Sequence, residues 1–196
     1  ANAPSAQQLE ADITRLANFG TRHTLSDTTS TTRGIGAARR WIFSEFEKIS
    51  KECGGCLEVF YQRNLVPEGE SRRIPTATWV VNVVAIQRGT ADPDRLVMMS
   101  GDIDSRISDP LNFTNDSPGA NDNASGMAGV LEPAPTLTKY KFPGSIAHVG
   151  LSAEAQRLFG AQVLPAVAQY PTRELRGVLH TRIAGHLSLT HNCRSP

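Results

Sequence analysis

At 196 residues, with 39% hydrophobic and 20% charged side chains, the chain has the composition of an ordinary globular protein and the length for one domain with a substantial core. A net charge of +1 excludes the basic field that gathers nucleic acid or an anionic membrane surface. No apolar run approaches the roughly 20 residues of a bilayer span, so no transmembrane segment is expected.

The opening run, Ala-Asn-Ala-Pro-Ser-Ala, reads as what remains after a small-residue cleavage site, which predicts a secreted or periplasmic protein; it equally suits a chain trimmed in another way. From Ser5 to Phe19, Leu9, Ile13 and Leu16 recur at helical spacing, with Gly20 as the stop. The polar stretch Thr21–Thr32 reads as loop, and His23 within it as a solvent-exposed side chain rather than a ligand. Gly34–Ser50 is the clearest helix, with Ile35, Ala38, Ile42, Phe46 and Ile49 along one face.

Cys53-Gly-Gly-Cys56 has three readings: a redox pair, half of a zinc site, or a tight disulfide. A redox pair precedes a helix, whereas here a helix comes first and a strand-like run follows. A four-sulfur zinc site needs a second cysteine pair, and only Cys193 remains. A local disulfide in an oxidising compartment is favoured over two free thiols, leaving Cys193 unpaired. Strands are expected at Leu57–Leu65 and at the β-branched Trp79–Gln87, with a charged, Pro-containing loop between them. A turn at Ala91–Arg95 leads to a short apolar strand, Leu96–Met99. So short a connection predicts antiparallel neighbours.

That strand empties at Ser100-Gly101 into Asp102-Ile103-Asp104, and Asp122 follows in a turn between Gly119 and Gly126. Carboxylates gathered at a strand exit and a Gly-rich turn suit a hard or borderline divalent cation. The same side chains also cap turns and helix starts. Residue types alone leave both readings open.

A helix begins at Asn123 or Ser125, and Pro133 and Pro135 require it to stop or kink near Glu132. Ser145–Leu151 reads as a strand, Ala153–Ala161 as a helix beginning, and Gly177–Gly185 as a last strand. Alternating strands and helices give one α/β domain over residues 1–196, a single mixed β-sheet sandwiched by helices.

The segments SGDIDS (100–105) and PGANDNASG (118–126) resemble the two central motifs of the family 28 metallopeptidases, the di-zinc aminopeptidase-like exopeptidases. The family reads Ser-Gly-His-x-Asp-Ser, then Pro-Gly-Ala-x-Asp-Asn/Asp-Ala-Ser-Gly. The likeness runs from about Thr21 to about Gly185 and weakens toward the end; Arg22-His23-Thr24 roughly fills a family segment before the first long helix. It implies a zinc-exopeptidase-like sheet, incomplete here, two zinc ions and a peptide substrate cut at its amino terminus.

Residue by residue, the resemblance implies Asp122 as the carboxylate bridging both metals. It implies Asp102 as a metal ligand where the family has histidine. Asp104 takes the place of the carboxylate that orients that histidine. The family's Gly-Glu-Glu motif falls on Ala153-Glu154-Ala155, so Glu154 matches the general base while Ala155 replaces a ligand. Arg182 stands at a further ligand position, and a guanidinium has no lone pair to offer. The family's last histidine ligand has no match before Pro196, and aligning His186 or His191 with it requires a displaced register.

The expectation is an impaired peptidase with weak or absent zinc, in which Arg182 pairs with Asp122 or Asp102 in place of the cation. The alternative is a non-catalytic module of the same fold that holds a peptide or a single cation such as calcium. Disulfide exchange at Cys53 and Cys56 is the weakest reading.

Overall fold

The computed structural model describes residues 4–156, 158–162, 174–183 and 186–190; the side chains at 162, 174, 182, 183 and 186–190 lie outside that description. Helix α1 (Ala6–Ala17) starts where Ser5 accepts the Gln8 N–H at 3.2 Å, satisfying one of its free amides. Helix α2 (Gly34–Glu52) buries the stripe that its periodicity predicts: Ile35, Ala38, Ile42, Phe46 and Ile49. Full burial of a side chain such as Phe46 contributes about 1.5–3 kcal/mol. Strands β1 (Leu57–Val66) and β2 (Thr78–Gln87) form an antiparallel hairpin, Leu57 opposite Gln87 and Val66 opposite Thr78.

The remaining elements are β3 (Asp92–Asp102), α3 (Ser125–Leu131), α4 (Ala134–Leu137), β4 (Gly144–Leu151), α5 (Phe159–Gln162), β5 (Glu174–Ile183) and β6 (His186–Thr190). They complete a six-stranded sheet of order β1-β2-β4-β3-β5-β6. Strand β3 is parallel to β4 and β5, whereas β1–β2, β2–β4 and β5–β6 are antiparallel. The mixed sheet flanked by helices is the fold class that the residue pattern implies.

One sheet expectation fails. Strands β2 and β3 are not neighbours, because β4 lies between them. Residues 88–91 can reach roughly 13 Å when extended, enough to pass one strand at about 4.8 Å per strand. Their amides are taken up by the entrance to β4: Gly89 donates to Ser145 Oγ, Thr90 to Phe142 O and Ala91 to Pro143 O. Strand β4 is buried along most of its length, so the centre of the sheet is where its apolar side chains lose most water.

One face of the sheet carries α1, α2 and α3, with Leu16, Phe19, Ile42, Phe46, Met127 and Val130 packed against Val83 and Ala85. The opposite face buries Val84, Ile86, Met98, Ala147 and Val149, with Ala161 of α5 against them. Helix α3 ends at Leu131, before Pro133, as the prolines require. Residues 153–156 and 158 do not form the expected helix. Ala153 and Leu158 have φ of 60° and 62°, left-handed values that interrupt helical propagation, so among the described residues of that stretch the helix is confined to Phe159–Gln162.

Cys53 and Cys56 are joined, with Cα atoms 5.6 Å apart, and Gly54 and Gly55 supply the left-handed turn between them. Cys193 lies outside the described residues. So short a loop constrains the unfolded chain little, so Cys53→Ser with Cys56→Ser is expected to cost about 2 kcal/mol or less. Urea midpoints of the two forms measure this, and a much larger loss would mean that the bridge also holds α2 against β1.

Candidate active site

The parallel strands β3 and β4 end side by side, Asp102 opposite Leu151, and the loops leaving them carry the acidic residues. Asp102, Asp104, Asp122 and Glu154 line one polar cavity of about 530 Å³, together with Ser105, Arg106 and Ala155. The expected gathering of Asp102, Asp122 and Glu154 at one sheet edge is therefore observed.

Asp102 is buried. Its Oδ2 accepts from Asn123 Nδ2 at 2.8 Å and lies 3.5 Å from His180 Nε2, while its Oδ1 has no partner among the described residues. Asn123 also donates to Thr181 O and accepts the Gly126 N–H at 2.8 Å, so one side chain caps α3 and ties it to β3 and β5. The Asp122–Asn123 peptide is cis. The glycines of the two motifs permit this close approach. A Cβ on Gly101 would meet the Gly126 backbone at 2.7 Å, and one on Gly126 would meet Thr181 O at 2.2 Å.

Asp104 is also buried, and its two oxygens accept the backbone N–H groups of Glu154 at 3.0 Å and Ala155 at 3.1 Å. These bonds hold the 153–156 turn open instead of letting it wind into helix. Burial, and then the neighbouring charge of Asp102, push the Asp104 carboxyl up to about 7 against the pull of those two amides.

The loop bearing Asp122 rests on Arg22, which is fully buried and donates to Ile103 O, Leu16 O, Pro118 O and Gly119 O. The neighbouring His23 is buried too, which corrects the expectation of an exposed loop side chain. The Leu25 N–H donates to its Nδ1 at 3.1 Å, so the ring proton sits on Nε2, which donates to Pro110 O at 3.0 Å. Burial is the main cause lowering its pKa and keeping it neutral.

His180 is the residue that sequence reasoning missed. It sits opposite Ser100 across the β3–β5 pair, with Nδ1 2.9 Å from Ser100 Oγ. Only the register of that parallel pair brings it to Asp102. The side chains of Arg182 and His186 lie outside the described ones, and His191 outside the described residues, so the expected pairing of Arg182 with Asp122 or Asp102 rests on sequence alone.

Among the described residues, the donor set falls short of a zinc centre: no group of three His, Cys, Asp or Glu side chains is placed to hold a metal ion. Asp102 Oδ1 and exposed Asp122 are available oxygens, but Asp102 Oδ2 is committed to Asn123, and position 155 presents a methyl group to the cavity.

The model of peptidase family M28 matches residues 82–186, the stretch from β2 to the start of β6 that contains all four cavity carboxylates. The chain belongs to peptidase family M28. This M28 chain is 42% identical over 181 residues to a probable zinc metalloprotease of Pyrenophora tritici-repentis, covering 92% of itself and 37% of that protein. The chain spans less than half the length of the curated relatives it matches. Its fold is similar to that of a leucine aminopeptidase precursor from Bacteroides thetaiotaomicron, with TM-score 0.69 and 17% identity over 92% of this chain and 63% of that one. It is also similar to a Porphyromonas gingivalis glutaminyl cyclase, with TM-score 0.68 and 19% identity over 92% and 62%. At such identities the M28 fold is shared and the chemistry is not thereby specified.

Proposed function

We propose that this chain comes from an exported, secreted or periplasmic lineage of zinc-dependent hydrolases that cut amino-terminal peptide bonds, and that in its present form it is impaired. The observation behind this reading is the cavity itself: the motif carboxylates converge on it, yet Ala155 stands where the family pattern has a ligand. Zinc is the metal in the names of its relatives, and the Cys53–Cys56 bridge supports an oxidising compartment.

The chain's own residues supply part of the chemistry. Glu154 is half-buried on the cavity wall, and in this reading it takes the proton of an attacking water. Asp104 fixes the backbone of Glu154 and so sets where that carboxylate points. Asp122 and the Oδ1 of Asp102, which has no partner among the described residues, offer negative charge to a cation or to a substrate's amino-terminal ammonium. That last feature favours the second reading, a non-catalytic module that holds a peptide or a single cation such as calcium.

Equilibrium dialysis with zinc and calcium, alongside hydrolysis of aminoacyl-4-nitroanilides, separates these readings. The expected result is no tightly bound zinc pair and no turnover above the blank. Ala155→Glu combined with Arg182→Asp is expected to raise zinc affinity by about a hundredfold, with each of the two added carboxylate ligands contributing about 1.4 kcal/mol. Two tightly bound zinc ions in the unaltered chain would overturn the impairment. Stoichiometric calcium without hydrolysis would favour the binding module.

A further inference from the structure

A larger cavity, about 780 Å³, lies between the N-terminal half of α2 and the β1–β2 hairpin and shares no lining residue with the acidic one. Its floor comes from Arg39 of α2, and its walls from Tyr61 and Arg63 of β1, Trp79 of β2 and Phe113. The hairpin register explains the grouping. Tyr61, Arg63 and Leu65 alternate onto the face turned to α2, and Leu65 pairs with Trp79 across the strands. Tyr61 stacks on Phe43 of α2 with ring centroids 4.4 Å apart, holding the hairpin against the helix.

Arg39 is only 7% exposed, yet its guanidinium has a single hydrogen bond, from Nε to Ile35 O at 3.3 Å. Its terminal nitrogens have no hydrogen-bond or carboxylate partner among the described residues. The other arginines of this region are engaged: Arg40 donates to the carbonyls of Thr28, Thr29 and Ser30, and Arg33 pairs with Asp116. Arg63 is exposed, its guanidinium 5.7 Å over the Tyr61 ring and without a carboxylate partner among the described residues. Among those residues no Asp or Glu lines the cavity. A buried guanidinium without a counter-charge is costly, and an anion with its own hydrogen-bond acceptors is what compensates it. Burial pulls Arg39 down to about 10, with the charges of Tyr61 and Asp104 opposing too weakly to restore it.

At the mouth, Trp79 and Phe113 are 57% and 42% exposed, large rings that the fold leaves in water beside a positive floor. We infer that this cavity binds a small organic carboxylate, its planar anion on Arg39 and Arg63 and its apolar or aromatic body against Trp79 and Phe113. The planar fork of a guanidinium matches a carboxylate in two parallel hydrogen bonds. The volume lies within the range of ordinary small-molecule sites.

The test uses the whole chain, titrated with N-acetylphenylalanine and with its neutral amide, followed by calorimetry and by tryptophan fluorescence. Trp41, the other tryptophan, lies off the cavity against Phe19, so Trp79 is the reporter. The acid is expected to bind at least about tenfold more tightly than the amide, the difference that charge-assisted hydrogen bonds bring. Arg39→Gln should remove that preference, Arg63→Gln should reduce it several-fold, and Trp79→Phe should abolish the fluorescence change while calorimetry still registers binding. Because Arg63 is exposed, its variant keeps the test open should Arg39→Gln fail to fold. Inorganic phosphate binding more tightly than the acid would overturn the carboxylate assignment. Equal affinity for acid and amide, no binding of the acid to the folded chain, or an unchanged preference in both arginine variants would overturn the site itself.

Discussion

Replacing Arg22 with methionine is expected to cost about 3–5 kcal/mol of folding stability, the range for removing one partner of a buried charged network. The fully buried guanidinium satisfies carbonyls from separate segments: Leu16 at the end of α1, Ile103 just past β3, and Pro118 and Gly119 in the loop before Asp122. Each carbonyl left dry and unpaired costs about 1–3 kcal/mol. Relief from burying the cation offsets part of that, since burial already lowers Arg22 to about 10. Arg22→Lys is expected to recover little, because one compact ammonium cannot reach acceptors arrayed around a planar fork. Urea unfolding of both variants measures the effect. A loss below about 1 kcal/mol for the methionine variant would mean that water fills the vacated space and bonds the carbonyls in its place.

A second large effect concerns Asp104 and pH, in the chain kept in chelator. Its carboxyl is raised to about 7 in the fold against 3.8 as the ordinary value, by burial first and the charge of Asp102 second. Between those values the folded chain holds a proton that the unfolded chain releases. The contribution of Asp104 is therefore fully present below about pH 4 and is lost as pH rises through about 7, at about 1.4 kcal/mol per pH unit. His23 and His148 act in the opposite sense. Burial lowers both, His148 to about 4, so their contributions grow as pH rises toward their unfolded value near 6.5.

The unaltered chain shows the sum of these terms, and Asp104→Asn isolates one. An asparagine oxygen can accept only one of the two amides that Asp104 now satisfies, a fixed cost of about 1 kcal/mol. Against that cost, the variant is expected to gain on the unaltered chain steadily from about pH 4 to 7, by up to roughly 4 kcal/mol. Parallel stability profiles for the two chains across that window would show Asp104 to be ionised throughout.

Local periodicity was enough to read α1, α2, the β1–β2 strands and the stop of α3 before Pro133, because each depends on contacts within a few residues along the chain. The two Gly-rich motifs were legible for a related reason. Gly101 and Gly126 mark where backbones meet too closely for any Cβ, and Asn123 marks the cap that ties them together. The Cys53–Cys56 bridge is one of the readings the sequence offers, and its short separation lets the fold close it locally.

What the sequence by itself determined, then, is the family and the acidic residues that meet in one cavity. Tertiary structure alone decided the insertion of β4 between β2 and β3, the turn at 153–156 and the burial of His23. It alone placed His180 beside Asp102 and left Arg39 without a carboxylate partner among the described residues, beneath a cavity. Each of these depends on groups far apart in sequence. Strand order follows from which apolar run loses most water at the centre of the sheet. The 153–156 turn follows from a carboxylate on β3's exit loop capturing amides that a helix would otherwise use. A side chain's partner is set by the register of a parallel pair, and residue spacing along one strand carries no information about the register of the next.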